Sequence, residues 1–310
     1  MRRWHASSSS EALSSSPGTP PVQLALLAPA EMAAGPAGPT GNDAGDAAPE
    51  PGLEPAPTRG EPRRLRLLVA YLGTPFHGFA LQPGLRTVAS ELTGALEKLA
   101  GHPVQLTCAG RTDAGVHAWG QVVSLDVTSD LDLGRLQRSL NKMLGPEVVV
   151  REAGWAAAGF DARRSALSRR YRYQVSCARW PDPLAAPTVW HLGAALDLRA
   201  MQAGSDPLLG EHDFSSFCHA VRDRPGPLVR RVLAADWHDI GNEQLRFEIE
   251  ATSFCHQMVR SIVGTLVEVG LGRRRAGDVL GILRARDRAS AGPVAPARGL
   301  CLWEVTYPPA

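Results

Sequence analysis

The chain has no apolar run approaching the length of a membrane span, so no membrane partner is expected. It also lacks a G-x-G-x-x-G after a strand, a P-loop and an HExxH helix, which removes the usual supports for nucleotide and zinc chemistry. Cysteine is sparse. The five residues Cys108, Cys177, Cys218, Cys255 and Cys301 are odd in number, far apart and never in CxxC. They read as small core hydrophobes in a reducing cytoplasm, with neither a disulfide framework nor a metal site. Lysine is nearly missing: Lys98 and Lys142 are the only two among 33 basic residues. The remaining cations are guanidinium groups, which fork phosphate and stack on bases. A compositional bias of the genome gives the same pattern.

Charge and composition divide the chain. Residues 1–61 are rich in Ser, Pro, Ala and Gly, as in SSSPGTPP and AAGPAGPTGN. Such a run buries too little apolar surface to offset the entropy of ordering it, and it reads as a disordered extension. The faintly signal-like VQLALLAPA (22–30) is interrupted by prolines and does not change that reading. Residues 1–60 carry three arginines against six carboxylates, a net of −3. The chain as a whole is +2, which leaves +5 on the remainder. That mild excess suits contact with phosphate.

From Pro62 onward, strands and helices alternate. LRLLVAYLG (65–73), VQLTCA (104–109), QVVSLDV (121–127) and EVVVREAGW (147–155) read as strands. Between them lie two helical patterns, one with Thr87 as N-cap and Leu92 and Leu96 in its stripe, the other with Leu136 and Leu140. A second set follows. RRYRYQVSC is a strand, and VRRVLAADWHDI and QLRFEIEATS flank a Gly241-Asn242 hairpin. DLRAMQAGSDPLLG, HQMVRSIVGTLVEVG and AGDVLGILRAR read as helices, and LCLWEVTY (300–307) as the last strand. The expected class is α+β, in two lobes at 62–166 and 167–310. Each lobe is expected to be a mainly antiparallel sheet with helices packed on it, with a cleft between them.

The loop Gly110-Arg111-Thr112-Asp113-Ala114-Gly115-Val116-His117 carries the strongest chemical signal. A short carboxylate between two glycines, in a loop joining two strands, can be held at a fixed point. A tight polar turn in which Asp113 only bonds backbone amides is the plainer alternative. Asp113 and His117 stand four apart, as do His256 and Arg260, but no further His, Cys or Asp set at ligand spacing accompanies them, so no metal is expected. The basic pairs Arg163-Arg164, Arg169-Arg170 and Arg230-Arg231 and the run Arg273-Arg274-Arg275 are candidate phosphate contacts.

AGRTDAGVHA (109–118), followed by GQVVSLDV, resembles the catalytic motif of the TruA family of tRNA pseudouridine synthases. SRRYRYQV, GEHDFSSF, FEIEATSFCHQMVRSIVGTLVEVG and ARGLCLWEVTYP follow in that family's order, so the likeness spans about Leu65 to Pro308. The resemblance implies an isomerase that turns uridine into pseudouridine at positions 38 to 40 of the tRNA anticodon stem-loop, needing no cofactor. It implies Asp113 as the catalytic carboxylate and Arg260 as its ion-pair partner. It further implies Tyr171 as the ring stacking on the target uracil, Arg111 as a contact holding the nucleotide out of its stack, and a homodimer. A non-catalytic RNA-binding protein on the same fold, or a synthase acting at another RNA position, are the alternatives. The start of the pattern departs from the family's YDG and GWQxQ: this chain has Leu72, Phe79 and Ala80 there. RNA contacts at that edge are therefore not carried over.

Overall fold

The alternation in RRLRLLVAY builds β1 (Arg63–Tyr71), with Leu65, Leu67 and Val69 wholly buried on one face. A computed structural model describes residues 61–219 and 226–309, all within one structural unit, Pro55–Ala310. The expected extension, residues 1–61, lies outside the described residues but for its last one. β1 pairs antiparallel with β3 (His117–Val127) on one side and with β4 (Val148–Trp155) on the other. Short β2 (Thr107–Cys108) adds to β3. Helix α1 (Val88–Ala100) starts on the capping box formed by Thr87 and Ser90 and stops at Gly101, whose φ of +77° suits glycine. Its Leu92 and Leu96 join Leu136 and Leu140 of α2 (Leu133–Leu144) in the core cluster with Leu65 and Leu67. Full burial of each such leucine contributes about 1.5–3 kcal/mol.

The second half adds β5 (Ser168–Ser176), β6 (Trp190–His191), β7 (Gly210–Asp213), the long hairpin β8 (Val229–Asp239) and β9 (Gln244–Ala251), and β10 (Leu300–Thr306). The hairpin turn runs through positive φ at Gly241, Asn242 and Glu243. Helices α3 (Leu198–Ser205), α4 (Met258–Gly270) and α5 (Asp278–Ala285) complete the set. The apolar stripe of α4 is buried: Met258, Ile262 and Leu266 share the core with Phe247 and Ile249 of β9.

The mixed α+β class holds, but there is one ten-stranded sheet rather than two. Its order is β4-β1-β3-β10-β5-β9-β8-β7, with β2 and β6 attached at the side. The halves join where β10 pairs parallel with β3, Cys301 facing His117 and Leu302 facing Ala118. The last strand of the chain thus sits beside the strand that follows the GRTDAGVH loop. Other readings change at their edges. The strand expected at 121 begins at His117, and the one expected over 104–109 shrinks to two residues. The helix expected to reach Gly210 stops at Ser205, where Pro207 turns the chain into a 3₁₀ turn.

The cysteines require a correction. Cys218 and Cys255 are joined, with Cα atoms 5.8 Å apart. Their separation of 37 residues concealed a pairing made only when the 3₁₀ turn Ser215–Phe217 packs beside the entry to α4. Cys108, Cys177 and Cys301 are free. Among the described residues, no helix is long and apolar enough to cross a membrane.

Candidate active site

Asp113 stands where a loop from the first half meets a helix from the second. The turn around it is closed by Val116 N–H donating to the Asp113 carbonyl at 3.1 Å, and Gly115 takes φ +78° within it. Four side chains fasten the loop to its surroundings. Buried Gln121 bonds both backbone groups of Gly110, accepting from its N–H at 3.3 Å and donating to its carbonyl at 2.6 Å. The Tyr71 and Thr112 hydroxyls meet at 2.8 Å. His117 accepts from Gly73 N–H through Nδ1 at 2.9 Å, which leaves Nε2 to donate to the Arg298 carbonyl at 3.0 Å. Buried Arg169 donates to the Ala109 carbonyl at 3.0 Å and also to the carbonyls of Arg163 and Thr252. Burial depresses the basicity of both His117 and Arg169.

A second loop, residues 73–79, lies directly on the first. A Cβ on Gly73 would come within 2.0 Å of the Val116 carbonyl oxygen, and one on Gly78 within 2.8 Å of the Thr112 carbonyl oxygen. Phe79 N–H donates to that same Thr112 oxygen at 3.1 Å. Phe79 and Leu72 stand at two of the positions that depart from the family pattern. Phe79 is buried and lies 6.1 Å from the ring of Tyr71, whereas Leu72 is partly exposed.

The structure brings Asp113 and Arg260 together. Arg260 Nη1 donates to Asp113 Oδ2 at 3.2 Å. Its guanidinium is itself oriented, since Nε donates to the Ala295 carbonyl at 2.8 Å while Ala295 N–H donates to the Arg260 carbonyl at 3.0 Å. The bare Gly264 on the same helix permits this close approach: a Cβ there would overlap the Pro293 carbonyl. Tyr171 of β5 lines the same groove, its ring edge-on to Phe254 at 5.1 Å. Burial raises its phenol pKa, and the charge of Asp113 adds to the effect. Tyr173, two residues on, is core: it is wholly buried, with its hydroxyl donating to the Pro296 carbonyl at 2.7 Å. Arg111 is exposed on the groove and has no ion-pair partner among the described residues.

These side chains line a groove of about 1170 Å³ to which both halves of the chain contribute, including Arg111, Asp113, Arg163, Tyr171 and Arg260. One of the basic pairs, and one member of the run Arg273-Arg274-Arg275, are engaged within the protein. Arg169 is spent on backbone carbonyls, and Arg170 pairs with Glu250 at 2.7 Å and Glu304 at 3.3 Å. Arg274 likewise pairs with Glu268. Sequence reasoning also passed over Tyr71, Gln121 and Phe254 as site residues. Phe254 lies within a quoted motif, yet nothing in its spacing marks it as a groove residue, whereas His256 stands four before Arg260 and also lines the groove.

The model of the tRNA pseudouridine synthase family matches residues 206–308. Full-length likeness is broader. The chain is 44% identical over 267 residues to tRNA pseudouridine synthase A of Leifsonia xyli subsp. xyli, covering 79% of this chain and 92% of that protein. It is 45% identical over 248 residues to the enzyme of the same name from Methylobacterium nodulans, covering 80% and 97%. It is 42% identical over 250 residues to that of Myxococcus xanthus, covering 80% and 94%.

Proposed function

This chain belongs to the tRNA pseudouridine synthase A family, and from that premise we propose that it isomerises uridine to pseudouridine in tRNA with Asp113 as the catalytic carboxylate. The observation that carries the reading is the ion pair of Asp113 with Arg260 inside a groove that also presents Tyr171. The reaction breaks the bond from ribose C1′ to uracil N1, turns the base and forms a bond from C1′ to C5. The C5 proton is lost and N1 gains one, so nothing is consumed. The carboxylate either attacks C1′ or stabilises positive charge there while accepting a proton, as carboxylates do in glycosidases. Both routes need an ionised acid at a fixed point. Arg260 binds one oxygen of the acid, and the backbone anchors of the loop fix the point.

A base inside a stem cannot reach such an acid, so the target nucleotide turns out of its stack. The groove between the two halves receives it, the Tyr171 and Phe254 rings offer it an apolar face, and Arg111 and Arg163 meet the phosphates beside it. We assign the target to positions 38 to 40 of the anticodon stem-loop and the working form to a homodimer, both on the family resemblance. Carbodiimide mapping of unmodified tRNA incubated with the protein tests the reading. Wild type is expected to place pseudouridine in the anticodon arm and Asp113→Asn none. Modification only at another position would move the target, and equal behaviour of the two proteins would favour a non-catalytic RNA binder.

A further inference from the structure

A second side-chain nitrogen, apart from that of Arg260, lies close to the Asp113 carboxylate. His256 Nε2 lies 3.4 Å from Asp113 Oδ1, the oxygen that Arg260 leaves free. We propose that His256 is a positioning residue, holding Oδ1 while Arg260 holds Oδ2, so that the carboxylate meets the sugar in one orientation. The inference rests on the function proposed above and extends it to a side chain not yet given a part.

A carboxylate tethered through one oxygen can still rotate about its Cβ–Cγ bond and swing the other oxygen away from C1′. A donor on each oxygen fixes the plane, and fixed orientation of a reacting group is a large part of enzymatic rate enhancement. The chain places both donors from one local feature. Gln257 takes the left-handed conformation, φ +61°, immediately before α4, and His256 and Arg260 flank that bend and the first helical turn. The imidazole is packed on one side. His219 packs edge-on against it with ring centroids 5.4 Å apart, His219 N–H donates to the His256 carbonyl at 3.0 Å, and neighbouring Cys255 is joined to Cys218.

Exposure separates the two donors. The Arg260 side chain is 16% exposed, Asp113 26% and His256 46%. An interaction so open to water adds little to the stability of the free protein. It gains strength when bound RNA covers the groove and lowers the local dielectric. The contact should therefore appear in turnover rather than in folding or in RNA affinity.

The test compares His256→Ala and His256→Gln with wild type on unmodified tRNA, measuring kcat, KM, tRNA affinity by filter binding and thermal stability. The alanine variant is expected to lose about 10-fold in kcat, with KM and affinity within about 2-fold of wild type. The glutamine variant, which keeps an N–H donor of similar reach, is expected to recover most of that loss with an unchanged melting temperature. Wild-type kcat in the alanine variant would overturn the inference. So would a loss confined to KM, or an equal loss in both variants. Asp113→Asn in the same assay separates the two levels of the claim. If that variant is inactive while His256→Ala matches wild type, only the His256 inference fails. If wild type binds tRNA yet forms no pseudouridine, the functional reading itself fails.

Discussion

Asp113 stands on an irregular loop, whereas Tyr171 and Arg260 stand on a strand and a helix, and the two groups are held by different forces. The strand and helix owe their place to burial and regular hydrogen bonding: β5 is paired on both sides, and α4 buries Met258, Ile262 and Leu266. The loop has no ladder of its own at Asp113. Its position is borrowed from Gln121, Tyr71, His117 and Arg169, each of which binds its backbone or a neighbour of it. One half of the site is thus a product of packing. The other half is a short backbone held by specific polar partners, where each partner has no substitute.

That contrast can be broken most sharply at the point where the halves touch. Arg260→Ala removes the cation from Asp113 and from the Ala295 carbonyl, and about a 100-fold fall in kcat is expected, with tRNA affinity little changed. A fall below 3-fold in single-turnover assays would show that the ion pair is structural only. Gly78→Ala acts on the loop alone. At φ +91°, with a Cβ only 2.8 Å from the Thr112 carbonyl oxygen, it must displace the Asp113 turn. About 1–3 kcal/mol of stability should be lost in chemical denaturation, together with roughly 10-fold in kcat.

Smaller effects sharpen the comparison from the regular side. Tyr173→Phe removes one buried hydrogen bond, to Pro296, from an otherwise intact core. About 1 kcal/mol of stability should go and kcat should stay within 2-fold. A large kcat loss would mean that Tyr173 and not only Tyr171 serves the groove. The smallest effect is expected from acid. Burial keeps His117 neutral in the fold, its Nδ1 already accepting from Gly73 N–H. A histidine with a depressed folded pKa binds more protons when unfolded, so its contribution to stability is complete above the unfolded pKa, about 6.5. It falls away as pH drops from there toward the folded value. Melting temperatures between pH 7.5 and 5.5 should fall more steeply for wild type than for His117→Gln, and parallel curves would contradict this account of the loop.

Period and propensity made the regular half readable in advance. Alternation in RRYRYQVSC put Tyr171 and Tyr173 on one face, and the α4 stripe was plain because its apolar residues recur at helical spacing. The loop motif stood out by composition and by resemblance, but its supports did not. Arg169 looked like half of a surface pair because sequence does not show that four backbone carbonyls surround it. Gln121 and Tyr71 sit inside strand patterns, where a polar atom turned inward is indistinguishable from one facing water. The single sheet was hidden for a topological reason: β10 and β3 are far apart in the chain and parallel, so no hairpin signal announces them. The Cys218–Cys255 link was hidden in the same way.

The central claim is that one carboxylate, fixed by both halves, meets the sugar of an everted nucleotide. A crystal structure of Asp113→Asn bound to an anticodon stem-loop tests it most directly. The account predicts the target uridine flipped into the groove, its base against Tyr171 and its C1′ about 3–3.5 Å from the side chain of residue 113. A uridine still stacked in the stem, or seated with its ribose beyond reach of that side chain, would contradict it.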